Sequence, residues 1–217
     1  MKKVFVFFFC MYALAATGQA NDAADWSGVR GELESMFKTD QAMRKESNAM
    51  LADARAKGIE VDKMAHTLLW KRIGEQDRVN QLRVAQIIDQ YGWPRISQVG
   101  AAAAMTVFLV VQHAELDYQL KYVDRMRDAA LAGEAAKQQL ALLEDRLLIR
   151  QGKPQRYGSQ VETRDGVGLK PTEDETNLDA RRAAMGLGSI CAYLDNFVKT
   201  SGRIVYPPCV KDTASAK

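Results

Sequence analysis

Apolar and neutral residues recur at helical spacing at Trp26, Val29, Leu33, Met36, Met43 and Met50. This predicts one long amphipathic helix from about 25 to 57. Gly58 reads as its left-handed stop and Asp62 as the cap of a second helix running to about Tyr91. The sequence "YGWP" ends that helix, because Pro94 disfavours helical geometry at Trp93. The next stretch, "VGAAAAMTVFLVV" at 99–111, is almost wholly apolar but too short to cross a bilayer. It predicts a central helix buried all round, continuing in amphipathic form to about Ala132 and broken by Gly133. A fourth helix over about 134–150 carries Leu140, Leu143, Leu147 and Leu148 as its buried stripe. Residues 151–175 carry no helical pattern and are rich in Gly, Pro and polar side chains. A last helix over about 176–200 starts at Thr176 or Asn177 and stops at Gly202, followed by an irregular tail. No strand alternation and no internal repeat is visible. The pattern predicts an all-α single domain of about five helices with one long ordered polar loop. Loops of that length inside a compact domain are more often functional than merely long.

Composition changes this picture at the ends of the chain. Of the 217 residues, the first twenty read as a secretory signal peptide: Lys2 and Lys3, an apolar run from Val4 to Ala16, and Gly18-Gln19-Ala20 before the expected cleavage. Removing them takes the formal net charge from +3 to +1. With no Lys/Arg block, nucleic acid is not an expected partner, and no membrane span is expected after cleavage. The expected location is the periplasm or the exterior of a bacterial cell. Two cysteines remain, Cys191 and Cys209, and an even count in an exported chain points to a disulfide tying the tail to the last helix. Two buried free thiols are the alternative. Closing that loop stabilises the fold by on the order of 3 kcal/mol.

Candidate chemistry is sparse. His113 and Asp117 in "QHAELD" are four apart, so on a continuous helix they share a face, and a carboxylate there can orient an imidazole as a general base. A helix passing from core to surface produces the same residues. His66 and His113 are the only histidines, and neither lies in a metal-ligand motif. A carboxylate-rich metal site from His113, Asp117, Asp145 or Asp174 is a weaker reading. "GLGSI" at 186–190 is not a nucleophile elbow and reads as helix packing around small residues. Arg146 and Arg150 share a helix face, and Asp174, Asp179, Arg181 and Arg182 follow the loop. Helix-end electrostatics and surface pairing explain these equally well.

Four segments, "YGWPRISQVG", "FLVVQHAELD", "DRLLIRQGKPQRYGSQ" and "PTEDETNLDARRAAMGLGSICAYL", together resemble DUF6624, a bacterial family of unknown function, over about residues 77 to 194. The family's positions fall on Trp93, Pro94, Ser97, Val99 and Gly100, on Gln112, His113, Ala114 and Asp117, and on Asp145 and Arg146. They continue at Gly152, Pro154, Gln155, Tyr157, Gly158 and Gln160, then at Asp174, Asp179, Arg181 and Arg182. Ser159, Glu115 and Lys121 depart from the family pattern. The resemblance implies no reaction and no cofactor. It divides the chain into a leader (1–20), an N-terminal helix outside the resemblance (21–62), a helical domain (63–200) and a tail (201–217).

These positions raise one expectation: "PQRYGSQ" folds over the polar end of the central helix and forms a cleft. His113 as general base, Asp117 orienting it and Tyr157 beside them form the catalytic set. Gln112, Arg146, Arg150, Gln155, Gln160, Asp174, Arg181 and Arg182 form the ligand-binding set. The rival is a buried polar network that only pins the loop. Three functions stand open. One is a hydrolase or lyase. Another is a binding module for a small anion, a peptide or a partner protein. The third is a structural helical protein whose first helix makes the contacts.

Overall fold

The computed structural model describes residues 25–209; the leader expected at 1–20 lies outside them. Seven α-helices stand among these residues: α1 (Trp26–Lys57), α2 (Lys63–Tyr91), α3 (Ile96–His113), α4 (Leu116–Leu131), α5 (Lys137–Arg150), α6 (Leu178–Ala184) and α7 (Ile190–Ser201). The all-α class holds, with more helices than the pattern predicts. One two-residue antiparallel pair, β1 (Val161–Glu162) with β2 (Gly168–Leu169), lies in the loop.

The first hairpin follows its signals. Asp25 caps α1 by accepting from Gly28 N, Gly58 closes it at φ 64°, and the Asp62 carboxylate accepts from Met64 N and Ala65 N to open α2. The helices run antiparallel, with Glu32 against Arg83 and Asp40 and Arg44 beside Asp77. The buried line on α1 is Leu33, Asp40, Ser47 and Ala54, every seventh residue, rather than the methionine stripe. The middle of this seam is therefore polar. It is held by Arg44 between Asp40 and Asp77, by Ser47 hydrogen-bonded to His66 at 3.0 Å, and by Gln76 on Asn80.

α3 occupies the centre, with Val99, Ala103, Val107 and Val111 fully buried against α1, α2 and the α4–α5 hairpin. By length and composition it could cross a membrane, but half of that window is buried inside the fold. Its first turn bends at Gly100, whose φ of 81° is open to glycine and strained for other residues.

Two expected helices are each divided. The central one breaks at Ala114 and Glu115, whose ψ values of 170° and 163° are extended. No Gly or Pro marks this break. The end carbonyls of α3 are taken instead by side chains: Gln112 O by Gln119 and Arg146, and Ala114 O by Arg150. The last expected helix breaks at Met185–Ser189. Gly186 (φ 70°) stops α6, and the Ser189 hydroxyl accepts from Ala192 N to start α7. "GLGSI" is thus a stop and a cap, not packing of small residues.

A second core holds the C-terminal third: Val167, Leu178, Ile190, Leu194, Tyr206 and Cys209. The Cys191–Cys209 disulfide closes it, with Cα atoms 5.2 Å apart. The tail also joins the loop through Val167 N to Arg203 O and Val205 N to Val167 O.

Candidate functional site

The loop is built around one carboxylate. Asp145, fully buried on α5, accepts three backbone N–H bonds: from Arg156 and Tyr157 at 2.8 and 3.0 Å on one oxygen, and from Ser159 at 2.8 Å on the other. Three charge-assisted bonds of this kind are strong enough to order a segment. Gln155 is equally sealed. Its amide nitrogen donates to Gln160 O, Lys170 O and Thr172 Oγ1, and its amide oxygen accepts from Gln160 N. Gln160 completes the turn on Ser159 Oγ. Arg182, 1% exposed, donates to Gly188 O at 2.7 Å and Tyr157 O at 2.6 Å, and its guanidinium lies 5.0 Å from the Tyr193 ring centre. Burial lowers its pKa, with Tyr193, Asp179 and Asp145 opposing. Arg181 donates to the backbone oxygens of Arg156, Glu173 and Asp174. Asp174 sits in the left-handed region at φ 39°, with its carboxylate on Asn177 and Arg181. Asp179 accepts from Ile190 N at 2.7 Å and so fixes the start of α7. These side chains hold the loop together through hydrogen bonds made within it.

Tyr157 belongs to the same frame. Its N–H is on Asp145, its carbonyl takes Arg182, and its hydroxyl reaches Glu144 at 3.4 Å. Burial raises its pKa, with the Glu144 charge adding to the effect. Arg150 serves the end of α3, on Ala114 O at 2.7 Å and Gln119 Oε1 at 3.1 Å.

The polar end of α3 is different. His113 and Asp117 do not share a helix face, because the chain breaks between them and Asp117 starts α4, exposed. The pairing of base and orienting acid expected from their spacing is therefore absent. His113 instead faces charges from two helices. Arg44 and Asp40 on α1 and Arg146 on α5 all act on it, and desolvation, the largest effect, carries its pKa down from 6.5 to about 4. Its imidazole makes no hydrogen bond among the described residues. Gln112, 4% exposed, leaves its amide oxygen without a donor. Arg146 makes one 3.3 Å bond to Gln112 O, and its buried Nε has no partner. Burial lowers its pKa, and the neighbouring Arg150 lowers it further.

The site that the structure brings together is thus His113, Gln112 and Arg146, with Asp40 and Arg44 of the Asp40–Arg44–Asp77 cluster acting on the imidazole. Arg44 is well neutralised, with Asp40 at 2.9 Å and both Asp77 oxygens at 2.7 and 2.9 Å. Desolvation raises the Asp77 pKa against the pull of Arg44. These three residues were not singled out from the sequence. Asp40 stands seven residues after Leu33 and seven before Ser47. A polar residue on a buried heptad line was the signal that could have found it. Among the described residues, no cluster of three or more His, Cys, Asp or Glu side chains could hold a metal ion.

A helical core with a carboxylate-anchored loop and a disulfide-closed tail defines the class of protein. A family model for the "Family of unknown function (DUF6624)" matches residues 27–205, and the chain belongs to that family. The match begins inside α1, so the first helix is part of the family unit rather than outside it. No curated protein and no solved structure matches the chain.

Proposed function

We propose that the protein is an exported binding protein for a small anionic solute, held beside His113 with Arg146 selecting its charge. One observation carries the reading: Arg146 is a half-buried guanidinium that no carboxylate within 4.0 Å neutralises among the described residues. Arg44 is clamped by two carboxylates, and Arg150 and Arg182 make close hydrogen bonds. Arg146 has the carboxyl end of α3 as partial compensation, because end carbonyls carry partial negative charge. A carboxylate or phosphate would supply the remainder through paired N–H···O bonds. A hydroxyl on the same solute would meet the donor that Gln112 lacks. Export is supported by the leader-like sequence at 1–20 and by a disulfide, which suits an oxidising compartment.

The hydrolase or lyase reading has one point in its favour: the His113 ring is neutral above about pH 4 and makes no hydrogen bond. A base so weak is poorly matched to proton transfer near neutral pH, and the Asp40 carboxylate that acts on it does not offset its burial. Binding is therefore the better-supported function.

The test is calorimetric titration of the purified protein with citrate, malate and phosphate. The expected result is a saturable isotherm for at least one of them, weakening with added salt and lost by tenfold or more in Arg146→Met. An isotherm unchanged in that variant, or no binding of any of the three anions, would sink the proposal.

A further inference from the structure

The geometry points to a second anion site, separate from the one proposed beside His113, at the other end of α3. A pocket of about 400 Å³ lies between the α2–α3 turn and α4, with Trp93, Arg95, Gln98, Arg125 and Asp128 in its wall. Counting residues from Gly100 to His113 puts it roughly 20 Å from the imidazole, at 1.5 Å per residue. Two independent features mark it. The Trp93 side chain is 6% exposed, and its indole Nε1, a group that can only donate, has no acceptor. Buried donors left in this state are rare in folded proteins. Arg95 and Arg125 face the same pocket, and neither has a carboxylate within ion-pair distance among the described residues. Glu134 and Asp89 influence them only at longer range. Two guanidiniums against the single carboxylate of Asp128 leave the wall positive.

The backbone N–H groups opening α3 are not the attraction. Ile96 N donates to Glu134 O, Ser97 N to the Glu134 carboxylate and Gln98 N to Arg95 O. What remains to be filled is an oxyanion with several acceptor oxygens, one for the indole N–H and others for the two guanidiniums. The volume admits a phosphate or carboxylate with a small organic body.

The test reads the indole directly. The protein has three tryptophans, so its 1H–15N spectrum has three indole peaks, and Trp93→Phe assigns the relevant one. Inorganic phosphate and acetate are titrated separately at constant ionic strength. The expected result is a saturable downfield shift of the Trp93 indole proton with one or both anions. Affinity should fall by tenfold or more in Arg95→Gln/Arg125→Gln and stay unchanged in Arg146→Met. A response to phosphate alone identifies a phosphate site, and a response to acetate extends it to carboxylates. The inference is overturned by no shift with either anion, by a shift that persists in the double variant, or by equal movement of the Trp26 and Trp70 peaks.

Discussion

His113 shows how one burial event sets both the chemistry and the pH dependence of a residue. Its pKa falls from 6.5 in the unfolded chain to about 4 in the fold, chiefly because the charged form is desolvated. Well above pH 6.5 neither state holds the proton, so this group adds no pH dependence there. As pH falls through the window from 6.5 to about 4, the unfolded chain takes up a proton that the folded chain refuses, so stability is lost. The full difference is up to about 3 kcal/mol. Comparing urea midpoints at pH 7 and pH 4.5 should show a smaller drop in His113→Gln than in the native protein. Parallel drops would mean that His113 is not the group responsible. At this scale the sequence was legible where a residue acts locally. Gly58 and Asp62 need only their own backbone, and Cys191 and Cys209 needed only their even count beside a leader-like sequence at 1–20. It was not legible for Arg181 and Arg182, which read as surface or ligand-binding arginines. Their partners are the backbone carbonyls of Tyr157, Arg156, Glu173 and Gly188, and only the finished loop brings those together.

Among the elements, the loop after α5 depends on one side chain of α5. Asp145 satisfies three N–H groups that would otherwise be buried without acceptors. Asp145→Asn keeps the shape but turns an NH2 toward at least one of those donors. The expected cost is about 2–4 kcal/mol. Hydrogen exchange at Arg156, Tyr157 and Ser159 should rise by far more than at α3 amides, whereas uniform acceleration would mean the anchor is not local. The loop announced itself by length and composition, but its anchor did not, because a buried Asp in "EDRLL" looks like any helix-surface acid. The same limit hid the break after His113. "QHAELD" has ordinary helix propensity, and the chain turns there because Arg146, Arg150 and Gln119 arrive from α5 and α4 to satisfy the end of α3. The shared face of His113 and Asp117 failed for that tertiary reason.

For the whole molecule, two cores share one chain, and the smaller one is closed covalently. The loop between Cys191 and Cys209 brings the tail against Val167 and puts the Tyr206 hydroxyl on Glu175 at 3.0 Å. Burial pushes the Tyr206 pKa up to about 12, with the Glu175 carboxylate contributing. Cys191→Ser/Cys209→Ser should lose on the order of 3 kcal/mol, seen as a lower thermal midpoint that reductant no longer changes. A native midpoint insensitive to reductant would contradict a structural role for the bridge. The helical class and the helix order were readable because they rest on hydrophobic period and on Gly and Pro signals. The polar seam of α1 and α2 was not, because a search for apolar stripes passes over Asp40 and Ser47.

The central claim is that Arg146 is kept for a ligand and not for the fold. The most direct measurement is the denaturant stability of Arg146→Met without added anion. If the guanidinium is an uncompensated buried charge, removing it should leave the protein as stable as before or more stable, by up to about 1 kcal/mol. A loss of about 2 kcal/mol or more would show that the bond to Gln112 O and the end of α3 already satisfy it, and that Arg146 has no need of an anion.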